Sequence, residues 1–170
     1  MKSFRLFALS ALITVGSVGT VVYTSCTKDE CKNVTCLNGG TCSGGTCTCP
    51  TGYTGASCQT KAIYGNWTGT DVCSPSGTYN VNIIASASSS DTTKVLINNP
   101  GGFGTNNTIT GTLSTDARTV TYTNQIVNAS TTPDTLTGTI TVTGPNGFTN
   151  SYTARELGAT YSCNGTYTRQ

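Results

Sequence analysis

The sequence predicts an all-β protein in two parts: a small disulfide-rich module, then an eight-stranded antiparallel meander that closes into a barrel. A two-sheet β-sandwich is the alternative. Three observations carry this. Only 9% of the 170 residues are charged and 35% are hydrophobic, while Thr, Ser, Asn and Gly fill much of the rest, a mixture that makes poor helices and suits short strands and turns. Six of the nine cysteines crowd into residues 31–58, too short a segment to bury a core of its own. From residue 63 onward, apolar and polar residues alternate in short runs separated by Gly, Pro and Asn, the period of a strand with one buried face.

The first element is a leader over residues 1–25. Lys2 and Arg5 precede an apolar run from Leu6 to Val22, broken by Gly16 and Gly19, in the manner of an export signal. Nine cysteines leave one over if the rest pair, and Cys26 stands directly after the run, behind Ser25. This arrangement resembles the lipobox of bacterial lipoproteins, which implies a lipidated Cys26 as the mature N-terminus, residues 26–30 as a tether, and the membrane as a partner. Tyr23 departs from the pattern, where a small aliphatic residue is usual. A plain signal peptide with a free thiol and an uncleaved anchor are the other readings. Thr27-Lys28-Asp29-Glu30 resembles the surface-export signal of Bacteroidota-type lipoproteins and implies outer-membrane, cell-surface display.

Residues 31–58 carry cysteines at 31, 36, 42, 47, 49 and 58, the spacing C-x4-C-x5-C-x4-C-x-C-x8-C. Six cysteines alone allow 15 pairings. With Asn38-Gly39-Gly40-Thr41-Cys42 and Gly52-Tyr53-Thr54-Gly55, the segment resembles the EGF-like family over 28 of 170 residues. The resemblance implies the pairs Cys31–Cys42, Cys36–Cys47 and Cys49–Cys58. A cysteine zinc site does not suit an oxidising, exported setting without histidine. Calcium is not expected either: Thr27 stands where calcium-binding members carry an acid, and the Ser43-Gly44-Gly45-Thr46 loop offers few of the oxygens a hard cation needs. No metal and no cofactor are therefore expected.

Residues 59–61 read as a linker, and residues 62–170 as the β-domain. Strands are expected near 63–71, 77–86, 93–99, 105–114, 117–124, 134–143, 147–156 and 160–169. Tyr79, Val81, Ile83 and Ala85 share one face, as do Leu136, Ile140 and Val142, with Phe148, Tyr152, Ala154, Tyr161 and Tyr167 continuing the inward set. Cys73 and Cys163 share the parity of inward residues on the first and last strands. Those strands are neighbours in a closed meander, so the two cysteines are expected to bridge. Gly65-Asn66-Trp67 on the first strand of such a meander resembles the lipocalin family. The resemblance implies that Trp67 closes one barrel end beneath a late basic residue, Arg169 or Arg155. An ordinary core role for Trp67 is the plainer reading.

Charge and chemistry narrow the function. Without residues 1–25 the chain has seven basic and seven acidic residues, so it lacks the electrostatic footprint of nucleic-acid binding. There is no histidine, the commonest general base. Asp71, Asp91, Asp116, Asp134 and Glu156 stand singly, mostly at expected turns, where solvation or turn capping is their expected role. No catalytic residue is assigned. Asp91-Thr92-Thr93 and Asp134-Thr135-Leu136 resemble Bacteroidota O-glycosylation sites, which makes Thr92 and Thr135 candidates. The expected function is a non-enzymatic surface lipoprotein whose module acts as a stalk or adhesive unit presenting the β-domain to a protein or glycan. A carrier of a small apolar ligand, lined by Trp67, Tyr122, Phe148 and Tyr152, is the alternative, and a hydrolase a remote third. The interior is expected to be filled, with recognition at loops 99–105 and 128–134.

Overall fold

The computed structural model describes residues 30–128 and 133–170. The leader, Cys26 and residues 27–29 lie outside them, as do residues 129–132 of the 128–134 loop. Among the described residues, a cysteine-rich module precedes a closed antiparallel barrel of eight strands.

The module is two small hairpins, β1 (Thr41–Ser43) with β2 (Thr46–Thr48), and β3 (Tyr53–Thr54) with β4 (Thr60–Lys61). Residues 60 and 61, read as linker, are thus a strand paired to the module. Within residues 30–61 only Gly52 and Cys58 are buried. Three disulfides, Cys31–Cys42, Cys36–Cys47 and Cys49–Cys58, stand in for the missing core; each such bridge contributes about 2–4 kcal/mol.

The barrel strands are β5 (Gly65–Ser74), β6 (Gly77–Ala87), β7 (Lys94–Asn98), β8 (Thr108–Leu113), β9 (Thr119–Asn128), β10 (Asp134–Gly144), β11 (Gly147–Glu156) and β12 (Ala159–Arg169). Each pairs with its sequence neighbours, and β12 pairs β5 from Ser162↔Ser74 to Arg169↔Trp67. That last ladder decides barrel over sandwich, because it leaves no strand with an unpaired edge. Cys73 and Cys163 are opposite one another in it and are bonded.

Three expectations need correction. The first strand runs to Ser74 rather than ending near 71, which brings Val72, Cys73 and Ser74 into the ladder. Residues 105–107 and 117–118 lie outside the strands, and Ala117 adopts φ 57° in a turn. β9 continues to Asn128 through an irregularity beside Asn124, at φ 49°, which carries the inward alternation from Tyr122 to Val127. An extra residue in one strand of a pair shifts the alternation in this way.

The barrel has two unlike ends. At the closed end, where β5 begins, Trp67 is fully buried and meets Phe148 edge-on at 4.8 Å. Phe148 stacks on Tyr167 at 4.7 Å. The Arg169 guanidinium lies 4.3 Å from the Trp67 ring centre and donates to the carbonyls of Tyr64, Ala62 and Pro145. The module sits on this end. The Ala62 N–H donates to Gly52 O at 2.8 Å, and Lys61 Nζ donates to Thr92 O at 2.6 Å. Gly52 lies so close to Asp116 and Ala117 that a Cβ there would come within 2.5 Å of the Asp116 carbonyl. Ala62 and Ile63, between module and first barrel strand, are fully buried in the barrel core.

A candidate binding mouth at the open end

The interior above the closed end is polar, and glycines make it so. On β5 the inward positions run Trp67, Gly69, Asp71, Cys73; on β12 they run Tyr167, Gly165, Cys163. The register sets Gly69 beside Tyr167 and Gly165 beside Asp71. On β10, Gly138 is beside Tyr152. A Cβ on Gly165 would strike the Asp71 carboxylate, and one on Gly138 would strike Tyr152. Each large polar side chain therefore occupies space that an adjacent glycine leaves free.

Asp71 is completely buried, a correction to its reading as a solvated turn acid. Tyr152 OH donates to its Oδ2 and Tyr167 OH to its Oδ1, both at 2.6 Å, the short distance of a hydroxyl bonded to a carboxylate. Burial pushes the Asp71 carboxyl above the usual carboxylate range, and the two hydroxyl donors draw it part of the way back. The same burial, with the carboxylate beside them, pushes the Tyr152 and Tyr167 phenols up. Tyr122 OH donates to Asn150 Oδ1 at 2.7 Å, and burial raises its phenol as well. No buried side-chain nitrogen or oxygen among the described residues lacks a partner, so the polar interior is satisfied throughout.

Above this network the barrel opens into a cavity of about 360 Å³. Its walls are Tyr79, Phe103, Tyr152, Tyr161, Glu156 and the Cys73–Cys163 bridge. Tyr152 spans both worlds: its ring faces the cavity while its hydroxyl reaches down to Asp71. A one-turn 3-10 helix, Pro100–Gly102, folds over the mouth within the 99–105 loop. Gly101 approaches so closely, at φ 59°, that a Cβ would sit 2.9 Å from the Tyr152 hydroxyl. The Asn99 side chain holds this loop, accepting from Gly104 N–H and donating to Asn82 O, both at 2.7 Å.

Of the four residues expected to line a ligand site, only Tyr152 does. Trp67 and Phe148 are sealed in the closed end, and Tyr122 is buried against Asn150. Tyr79 has inward parity but stands at the rim, 46% exposed, because β6 begins at the open end. The interior is thus filled below and hollow above, rather than filled throughout. Phe103 and Glu156 were missed as wall residues. Glu156 was legible, since it continues the parity of Tyr152 and Ala154; Phe103 sits in a loop, where no period applies.

The remaining assigned positions lie elsewhere. Thr92 is exposed in the turn between β6 and β7, and Thr135 is half-buried on β10. Asp91 and Asp116 cap turns through Thr93, and through Ser114 and Arg118, bonds that lower both carboxyls. Asp134, also expected at a solvated turn, is buried at 4% exposure, accepting from Asn128 Nδ2 and Leu157 N–H. No group of three metal-ligating side chains occurs among the described residues.

No protein-family model matches the chain, and no curated protein matches it. Among solved structures, a redesigned beta barrel is similar to it at 17% identity over 64% of this chain and 92% of that one, with a TM-score of 0.44. EF1p2_mFAP2b, solved bound to DFHBI, is similar at 16% identity over 64% of this chain and 94% of that one, also with a TM-score of 0.44. A closed eight-stranded barrel with a cavity at one mouth is compatible with a binding or carrier role.

Proposed function

We propose that this is a non-enzymatic, membrane-tethered surface lipoprotein that binds a small ligand in the open mouth of its barrel. In this reading Cys26 bears the lipid, and an EGF-like module of residues 31–58 spaces the barrel from the membrane. The observation that carries the reading is the opposition of the two ends. The module packs on the closed end through Gly52, Ala62 and Arg169, while the cavity opens at the other. A chain anchored ahead of the module would hold its mouth toward the outside. The cavity favours the carrier alternative over loop-mediated adhesion, because ligand sites are concave, aromatic-lined and carry a few placed polar groups. Catalysis has little support: both Asp71 oxygens already accept from tyrosines, and Asp134 accepts from Asn128 and Leu157.

Two measurements test the proposal. Metabolic labelling with a fatty acid should mark the wild-type protein and not Cys26→Ala, which should leave the membrane fraction or persist as precursor. A panel of small fluorescent aromatic probes should bind stoichiometrically and displaceably. Ser76→Trp, which sets an indole at the cavity wall, should abolish that binding without lowering the melting temperature. Unlabelled wild-type protein would refute the tether, and probe binding indifferent to Ser76→Trp would refute the mouth.

A further inference from the structure

Resting on that reading of the mouth, we infer that the cavity selects a small organic cation, an ammonium carried on an apolar or aromatic group, over neutral or anionic molecules of the same shape. Three observations converge. The first is hydrogen-bond polarity. Tyr152 spends its only hydroxyl proton on Asp71 Oδ2, and Tyr79 spends its own on Ser76 O at 3.2 Å. A phenol whose proton is donated elsewhere offers only lone pairs. Tyr152 offers them at the floor and Tyr79 at the rim, and Glu156 adds a carboxylate in the wall. Among the wall's hydrogen-bonding groups these three accept, Tyr161 and Ser76 keep hydroxyls that can also donate, and Glu156 brings the one charged side chain of the described lining, which a cation would meet.

The second observation is the wall itself. Tyr79, Phe103, Tyr152 and Tyr161 surround one space, and aromatic faces attract a cation by about 0.5–2 kcal/mol each. An uncharged apolar ligand gains the same ring area but offers nothing to the Glu156 carboxylate or to the Tyr152 lone pairs. At about 30 Å³ per group, a cavity of this size holds roughly a dozen heavy atoms, the scale of an arylalkylamine.

The third is the axial separation of charge. Asp71, Asp134 and Glu156 all lie at the open half of the barrel. Lys61, Lys94, Arg118 and Arg169 lie at the closed end with only Asp91 and Asp116 against them, so that end is net basic, while Lys32 and Glu30 offset one another in the module. Arg155 sits near the mouth but is exposed on the outer face of β11, with parity opposite to Tyr152 and Glu156. A cavity lined by one sign of charge concentrates counter-ions at its entrance.

The test is calorimetric titration of the full-length protein with 2-phenylethylammonium and with propylbenzene, its neutral match in size. The amine should bind at least tenfold more tightly. Glu156→Gln, at an exposed side chain, should leave the melting temperature unchanged and weaken the amine about tenfold, and added salt should weaken it too. Ser76→Trp should remove it. Equal affinity for the two molecules, with both lost in Ser76→Trp, would overturn the cation preference and leave the mouth a binding site. An amine affinity unchanged in Glu156→Gln would also overturn it. Binding of neither molecule, nor of any probe in the panel, would take down the mouth reading and this inference together.

Discussion

The two ends of the barrel solve opposite problems with the same eight strands. At the closed end, bulk excludes water: Trp67, Phe148 and Tyr167 interlock, Arg169 covers the indole, and the module seals the outside. Toward the open end, glycines at 138 and 165 make room for polar side chains, and a disulfide ties the neighbouring strands β5 and β12 at the rim. Stability therefore concentrates at one end and recognition at the other. A site can carry a buried carboxylate and an empty cavity, both costly, when the far end of the same sheet is packed tightly.

The contrast breaks most sharply at Trp67. Trp67→Ala removes the largest fully buried side chain and the surface on which Arg169 rests. It should cost about 3–5 kcal/mol, the range for large-to-small core substitutions, measured by denaturant unfolding. Probe affinity at the mouth of the folded fraction should stay within about twofold, because sites so far apart and sharing no partner act independently.

Next in size is the open-end bridge. Cys73→Ala with Cys163→Ala opens a link of sequence separation 90 and should cost about 2–4 kcal/mol. Unlike Trp67→Ala, it should also loosen the mouth and weaken probe binding. Stability loss with unchanged binding would mean that β5 and β12 hold the mouth without the bridge.

Asp71 sharpens the comparison through pH. Asp71→Ala leaves two buried hydroxyls without an acceptor and should cost about 1–3 kcal/mol. The folded carboxyl holds its proton more tightly than the unfolded one does. Its contribution to stability is therefore fully present below the unfolded value of 3.8 and is lost as pH rises through the higher folded value. Asp71→Asn cannot ionise, so the difference between wild type and Asp71→Asn should change against the wild type as pH climbs above about 4. A difference independent of pH across that window would show that the tyrosine bonds cancel the cost of burial.

The smallest of these effects is expected at Tyr122. Tyr122→Phe keeps the ring and removes the hydroxyl that satisfies buried Asn150. It should cost about 1 kcal/mol and leave the mouth untouched, since Tyr122 lies below the cavity.

Much of this was readable residue by residue. Alternation at Tyr79, Val81, Ile83 and Ala85, and at Leu136, Ile140 and Val142, specified the strands and the inward faces, because a strand alternates with period two and one face must be dry. The same parity set Cys73 opposite Cys163 once the first and last strands were neighbours. It also pointed inward at Asp71 and Glu156. Asp71 was misread because single acids near turn-forming Ser, Pro and Gly are usually solvated, whereas Glu156, at the rim, is exposed as expected. Parity says which face a residue takes, not how far along the barrel axis it lies. Trp67, Phe148 and Tyr152 all face inward, yet two seal the closed end and one lines the cavity.

Local sequence thus determined the β class, the number of strands and the side on which most residues point, since these depend on nearest neighbours along the chain. Tertiary structure alone decided the register with which β12 meets β5, that glycines stand beside Asp71, Tyr152 and Tyr167, and that the module seats on the end opposite the cavity. Each of these depends on register between strands far apart in sequence. Pairing free energies along a Thr-rich strand differ little from one register to the next, and only the packing of the assembled interior selects among them.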